Sequence, residues 1–192
     1  MNKKILSRIL AIVLMLGIMV SFGKALAFNE AGMSIDVPSS YKDMGDRTWM
    51  KGYTSSFNIQ IEDNKKGEAA TKKSLDDSVE ELKKQYAGLS VSKSEVTKLN
   101  DYKCLYIESS YSGMKIVQYA VPTKDKIYVL TFAGTGDVTG SEDVKEMLKS
   151  FKIDNYKEPK SGSAVGIIIA VVVIAAVAGA VVFFTKKNKA QA

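Results

Sequence analysis

The chain has 192 residues, 27 of them basic and 21 acidic, with a formal net charge of +6, one cysteine and no histidine. A single cysteine excludes an intramolecular disulfide, and the missing histidine excludes His-based triads, His zinc sites and imidazole acid–base chemistry at neutral pH. Seven of the basic residues lie in the first 27 and last seven positions, which leaves 20 basic against 21 acidic residues between Phe28 and Ser163. The central stretch is therefore close to neutral, without the basic footprint of a nucleic-acid-binding protein.

Residues 1–27 open with Lys3, Lys4 and Arg8, continue with an apolar run from Ile9 to Phe22 and end on Ala25-Leu26-Ala27. A positive n-region, an apolar h-region and small residues before a cut describe a secretory signal peptide, cleaved between Ala27 and Phe28. The domain that follows is expected over 28–154. Ser34 to Val37 alternates polar and apolar and stops at Pro38, Trp49 to Tyr53 is a second short strand, and Phe57 to Glu62 alternates strictly. That alternation places Phe57, Ile59 and Ile61 on one buried face.

A helix is predicted next, with Ser74 and Asp77 as a capping box, Gly88 at C′, and Leu75, Val79, Leu82 and Tyr86 as its apolar stripe. Strands are expected over Val91–Leu99, Tyr102–Ser110, Lys115–Val121 and Lys126–Ala133. The links between the last three are too short for a crossover, so these strands are antiparallel neighbours. A second helix runs from Glu142 to Phe151 behind Ser141 as N-cap. Order and spacing give an α+β domain: an antiparallel sheet with packed helices.

Residues 155–163 (NYKEPKSGS) read as a polar linker. Ala164–Phe184 is 21 residues without a charge, long enough as a helix to span the roughly 30 Å hydrocarbon core of a bilayer. Lys186, Lys187 and Lys189 follow in the tail, 185–192, and assign it to the cytoplasm by the positive-inside rule. The expectation is a single-pass cell-membrane protein with its domain outside, in a bacterial envelope. Gly162/Gly166 and Ala175/Gly179 are small-residue pairs that permit a homodimer of the anchor.

Three segments, SIDVPSSYK, CLYIESSYSGMKIVQYAVPTKDKIYVLTFAG and EDVKEMLKSFKI, resemble the opening strand, central meander and closing helix of PsbP/DcrB-like domains (the Mog/PsbP fold). The resemblance covers roughly residues 31–154. It implies an α/β/α-type sandwich and an accessory or binding role beside a membrane, assisting a larger assembly. Tyr41 stands where many relatives have tryptophan, and few relatives carry a C-terminal anchor.

Chemistry is sparse. Gly134-Thr135-Gly136-Asp137-Val138-Thr139-Gly140 lies between a strand and a helix, but its glycine spacing misses the dinucleotide fingerprint and its acidic neighbours repel phosphate. Cys104 has no histidine to activate it. The pairs Glu62/Asp63, Asp76/Asp77 and Glu80/Glu81 sit beside lysines, as solvated faces do. No cofactor, metal or catalytic residue is expected. Tyr41, Trp49, Tyr53 and Tyr111 are the candidate binding surface, because tyrosine and tryptophan supply rigid contact area in recognition sites. The expected function is a non-catalytic, membrane-tethered binding module for an envelope protein or an apolar ligand; the alternative is a surface hydrolase working through carboxylates alone.

Overall fold

Alternating residues along the central strands face two different cores, and that alternation sets the layering. The computed structural model describes residues 25–159. The strands are β1 (Leu26–Glu30), β2 (Met33–Val37), β3 (Lys42–Asp43), β4 (Thr48–Lys51) and β5 (Ser55–Asp63). Helix α1 (Lys72–Gln85) follows, then β6 (Ser90–Leu99), β7 (Tyr102–Tyr111), β8 (Met114–Pro122), β9 (Lys126–Gly134), α2 (Glu142–Ser150) and β10 (Lys152–Ile153). One sheet has the order β3-β4-β5-β9-β8-β7-β6, and a smaller one the order β1-β2-β10. Every pairing is antiparallel.

On one face of the large sheet, Phe57, Leu130, Phe132 and Val117 pack with Ile35 and Val37 of β2 and with Val144 and Met147 of α2. On the other, Leu105, Ile107, Ile116 and Val129 pack with Leu75 and Leu82 of α1. The domain is α+β, as expected, but α2 shares its layer with the small sheet. Because both faces of the large sheet are covered, nearly all of β9 is buried and it reads as one apolar run. Phe57 and Ile59 are fully buried as predicted, while Ile61 is only half-buried; Ser56 and Asn58, on the opposite face, are buried too.

Local chemistry explains the turns. Ala31 and Gly32, and again Ser112 and Gly113, all adopt positive φ, the left-handed pair that a two-residue hairpin turn demands. Asn100 joins β6 to β7 with φ 53°, and its Nδ2 donates to the carbonyls of Leu148 and Phe151, both at 3.0 Å. It thereby satisfies the carbonyls left open at the end of α2.

Helix α1 starts earlier than its sequence suggests. Thr71 is the N-cap: its Oγ1 accepts the Ser74 N–H at 3.1 Å, and the Ser74 hydroxyl accepts the Thr71 N–H at 2.9 Å. Ser74 is thus the third helical residue, and Asp77 instead pairs with Lys73 at 2.6 Å. The earlier start wins because it satisfies two backbone donors reciprocally and buries Ser74. The helix closes at Gln85 with Tyr86 as its cap, so Gly88, at φ 91°, lies one residue past C′. Ser141 precedes α2 as expected but its side chain makes no capping bond.

Neither helix among the described residues is long and apolar enough to cross a membrane. The expected signal peptide, up to residue 24, and the expected span Ala164–Phe184 with Lys186, Lys187 and Lys189 lie outside the described residues. Ala27 and Phe28 lie within β1, opposite Asp36 and Ile35.

Candidate functional site

Two of the four aromatic residues expected to form a binding surface belong to the core. Tyr41 and Trp49 are each 4% exposed. Trp49 stands opposite Phe57 across the β4–β5 pair and stacks on it at 5.4 Å, and Phe28 meets it edge-on at 5.2 Å. Burial, with a smaller contribution from Asp143, pushes the Tyr41 hydroxyl up to about 12. Residue type marked them as contact-forming side chains but could not show that they face inward. Tyr53, in the turn between β4 and β5, is 67% exposed. Tyr111 is half-buried at the end of β7, where its ring meets Tyr86 edge-on at 5.9 Å. Tyr53 and Tyr111 lie at the same end of the sheet but beside strands separated by β9 and β8, so they make no single patch.

The remaining candidates are structural in their surroundings. Cys104 is fully buried, and burial raises its thiol to about 12, far from the thiolate a nucleophile needs. In the glycine-rich loop, Asp137 Oδ1 accepts the Gly140 N–H at 3.0 Å and the Thr139 hydroxyl at 3.2 Å. A β-carbon on Gly140 would meet Asp137 Oδ2 at 2.1 Å, so this glycine makes room for the carboxylate that closes its own loop. Among the described residues no three His, Cys, Asp or Glu side chains are grouped to hold a metal. Burial raises the carboxyls of Glu62 and Glu68, and Glu62 adds to the shift at Glu68. Carboxylates used as acids need such shifts, yet neither residue lines any of the three clefts described here.

Those clefts lie at the two ends of the large sheet. At the end carrying the β4–β5 turn, a pocket of about 120 Å³ is lined by Tyr41, Ser55, Ser56, Gly134, Asp137 and Val144, among others. At the opposite end are two clefts of about 340 and 730 Å³, both bordered by Lys124, Asp125 and Lys157. The first lies between the β1–β2 and β8–β9 turns, and the second beside the loop Asp63–Gly67. Asn64 supports that loop from within: its Oδ1 accepts the Glu68 N–H at 2.7 Å, and its Nδ2 donates to the carbonyls of Thr123 and Glu68 at 2.7 and 2.9 Å.

The third wall of these clefts is a segment that composition assigns to a linker. β10 pairs with β2, the Asp154 N–H donates to the Gly32 carbonyl at 2.8 Å, and the Lys124 N–H donates to the Lys157 carbonyl at 2.8 Å. Tyr156 packs on Tyr102 at 4.9 Å, Lys103 approaches Glu158 at 3.8 Å, and Pro159 is buried. Residues 155–159 therefore lie on the body of the domain. Their polarity hid this, because backbone hydrogen bonds and one tyrosine hold them rather than an apolar periodicity.

No family model and no curated protein matches the sequence. Among solved structures, a protein from Bacteroides thetaiotaomicron matches with a TM-score of 0.43 at 14% identity, over 74% of this chain and 50% of that one. This chain thus spans half the length of that relative. A protein of unknown function from Pseudomonas aeruginosa matches with a TM-score of 0.40 at 16% identity, over 59% of this chain and 84% of that one. The solution structure of cyanobacterial PsbP (CyanoP) from Synechocystis matches with a TM-score of 0.50 at 10% identity, over 70% of this chain and 95% of that one. At that identity the likeness concerns the fold: the described domain has a PsbP-like α+β fold.

Proposed function

We propose that this chain is a non-catalytic binding module of a bacterial envelope, held outside the cell membrane by Ala164–Phe184 and engaging an envelope protein. The observation that carries the reading is the opposition of the two ends of the large sheet. The described residues end at Pro159, beside the Asp63–Gly67 loop, whereas Tyr53 is 67% exposed in a turn at the other end. An anchor on the exit side points the tyrosine away from the bilayer, toward other proteins. A protein partner fits better than an apolar ligand. The two larger clefts carry charged residues at their rims, Lys124, Asp125 and Lys157 among them, and the third, about 120 Å³, is smaller than the roughly 300 Å³ of ordinary ligand pockets. The small-residue pairs of the anchor support self-association within the membrane as part of the same assembly.

The test is photocrosslinking in cells, with a photoreactive residue placed at Tyr53 or, separately, at Asp101 near the exit end. A discrete product from position 53, weak or missing from position 101, is the expected outcome. If position 53 gives no discrete product while the protein is present in the membrane fraction, the partner-binding reading fails.

A further inference from the structure

We propose that the exit end of the domain rests flat on the lipid headgroup layer, where Lys65, Lys66, Lys124 and Lys157 reach anionic lipid phosphates. This rests on the membrane-tethered reading above and names the partner of the end that faces the membrane.

The first argument is chain length. Tyr102, Gly32 and Lys124 fasten the chain to the domain as far as Lys157, and Pro159 is buried. Only residues 160–163 separate that point from the apolar run that starts at Ala164. Fully extended, the steps from 159 to 164 span at most about 18 Å. The headgroup layer takes up roughly 5–8 Å of this. What remains, about 10–13 Å, is the most the exit end can rise above the headgroups, so its lysines stay close to the lipid surface.

The second argument is the arrangement of charge around the exit point. Lys65 and Lys66 sit in the loop between β5 and α1, Lys124 in the β8–β9 turn and Lys157 on the exit segment, all exposed. All four line the same 730 Å³ cleft. Two neighbouring carboxylates are already engaged, Asp63 by Lys126 at 2.7 Å and Glu158 by Lys103 at 3.8 Å. Asp101, Asp125 and Asp154 also lie at this end, so its charge is mixed and the four lysines are its exposed cationic members. Lysine suits the position: its long apolar stem lets the ammonium extend to a phosphate from a turn that itself stays outside the headgroups.

The experiment uses the full chain in lipid nanodiscs made either of phosphatidylcholine or of phosphatidylcholine with one-third phosphatidylglycerol. Lysine acetylation is read site by site by mass spectrometry, with Lys93 and Lys115 as internal references. The expected result is several-fold slower acetylation of Lys65, Lys66, Lys124 and Lys157 in the anionic discs, reversed by high salt, with both references unchanged. Equal rates in the two kinds of disc, or an equal slowing at Lys93 and Lys115, overturn the proposal. A chain that fails to enter discs of either composition refutes the membrane anchor itself, a result distinct from a disc-bound domain whose four lysines react freely.

Discussion

The ring of Tyr102 stands edge-on to that of Tyr156, with centroids 4.9 Å apart, while its hydroxyl accepts the Ile153 N–H at 3.0 Å. Phe151 meets the same ring at 5.7 Å, so one side chain from the start of β7 holds three points along the exit segment. Tyr102→Phe removes the hydrogen bond alone and should cost about 1 kcal/mol. Tyr102→Ala removes the ring as well and should cost about 3 kcal/mol. Urea denaturation measures both, and tryptic cleavage after Lys152 and Lys157 should accelerate in the alanine variant. Unchanged cleavage there would mean that the backbone bonds alone hold the segment.

The stack of Trp49, Phe57 and Phe132 makes a second prediction. Phe57 is fully buried, with ring centroids 5.4 Å from Trp49 and 4.7 Å from Phe132. Phe57→Ala should destabilise the domain by about 3–5 kcal/mol, because the lost transfer energy is joined by that of a cavity. Trp49 is the sole tryptophan, so its fluorescence reports unfolding directly. A loss under about 1 kcal/mol would show that the stack collapses around the gap.

Two residues test where α1 begins. Thr71→Ala deletes the cap that accepts the Ser74 N–H and should cost about 1 kcal/mol, while Thr71→Ser retains it. Asp77→Ala removes only the exposed pair with Lys73, and should cost no more than about 0.5 kcal/mol. The reverse order of effects in thermal melts would place the helix start at Ser74.

Cys104 should be inert in the native protein. Its thiol is fully buried and raised to about 12 by that burial. A thiol reagent at mildly alkaline pH is expected to label it only as fast as the domain opens, and at once in denaturant. Rapid labelling of the folded protein would refute the packing around β7.

Glu68 supplies a pH dependence. Burial raises its carboxyl above 4.5, Lys66 works against that shift and Glu62 adds to it. A carboxyl whose folded pKa is raised contributes stability that is fully present below the unfolded value and lost as pH rises through the folded one. Glu68→Gln removes the penalty of the buried charge. It should therefore raise the melting temperature at neutral pH, with the gain vanishing as pH falls below 4.5. A variant that melts at the wild-type temperature at pH 7 would show that solvent compensates the charge in the fold.

The sequence by itself determined the class of this domain and most of its strands, because each of those features is written locally. Strict alternation marked β5, the short links Ser112–Met114 and Pro122–Asp125 forced antiparallel neighbours, and apolar residues at helical spacing marked α1 and α2. Two apolar runs and their flanking lysines likewise set the expected membrane topology from hydropathy alone. Only the tertiary structure decided which alternating face is inside. That choice put Trp49 of β4 in the core, while Tyr41 and Tyr53, both outside the strands, are sorted by what packs over them, which no local pattern encodes. It also decided that residues 155–159 belong to the domain. Their partners Tyr102, Lys103 and Lys124 are distant in sequence, and a backbone hydrogen bond, a ring contact and an ion pair leave no periodic trace in the chain that makes them.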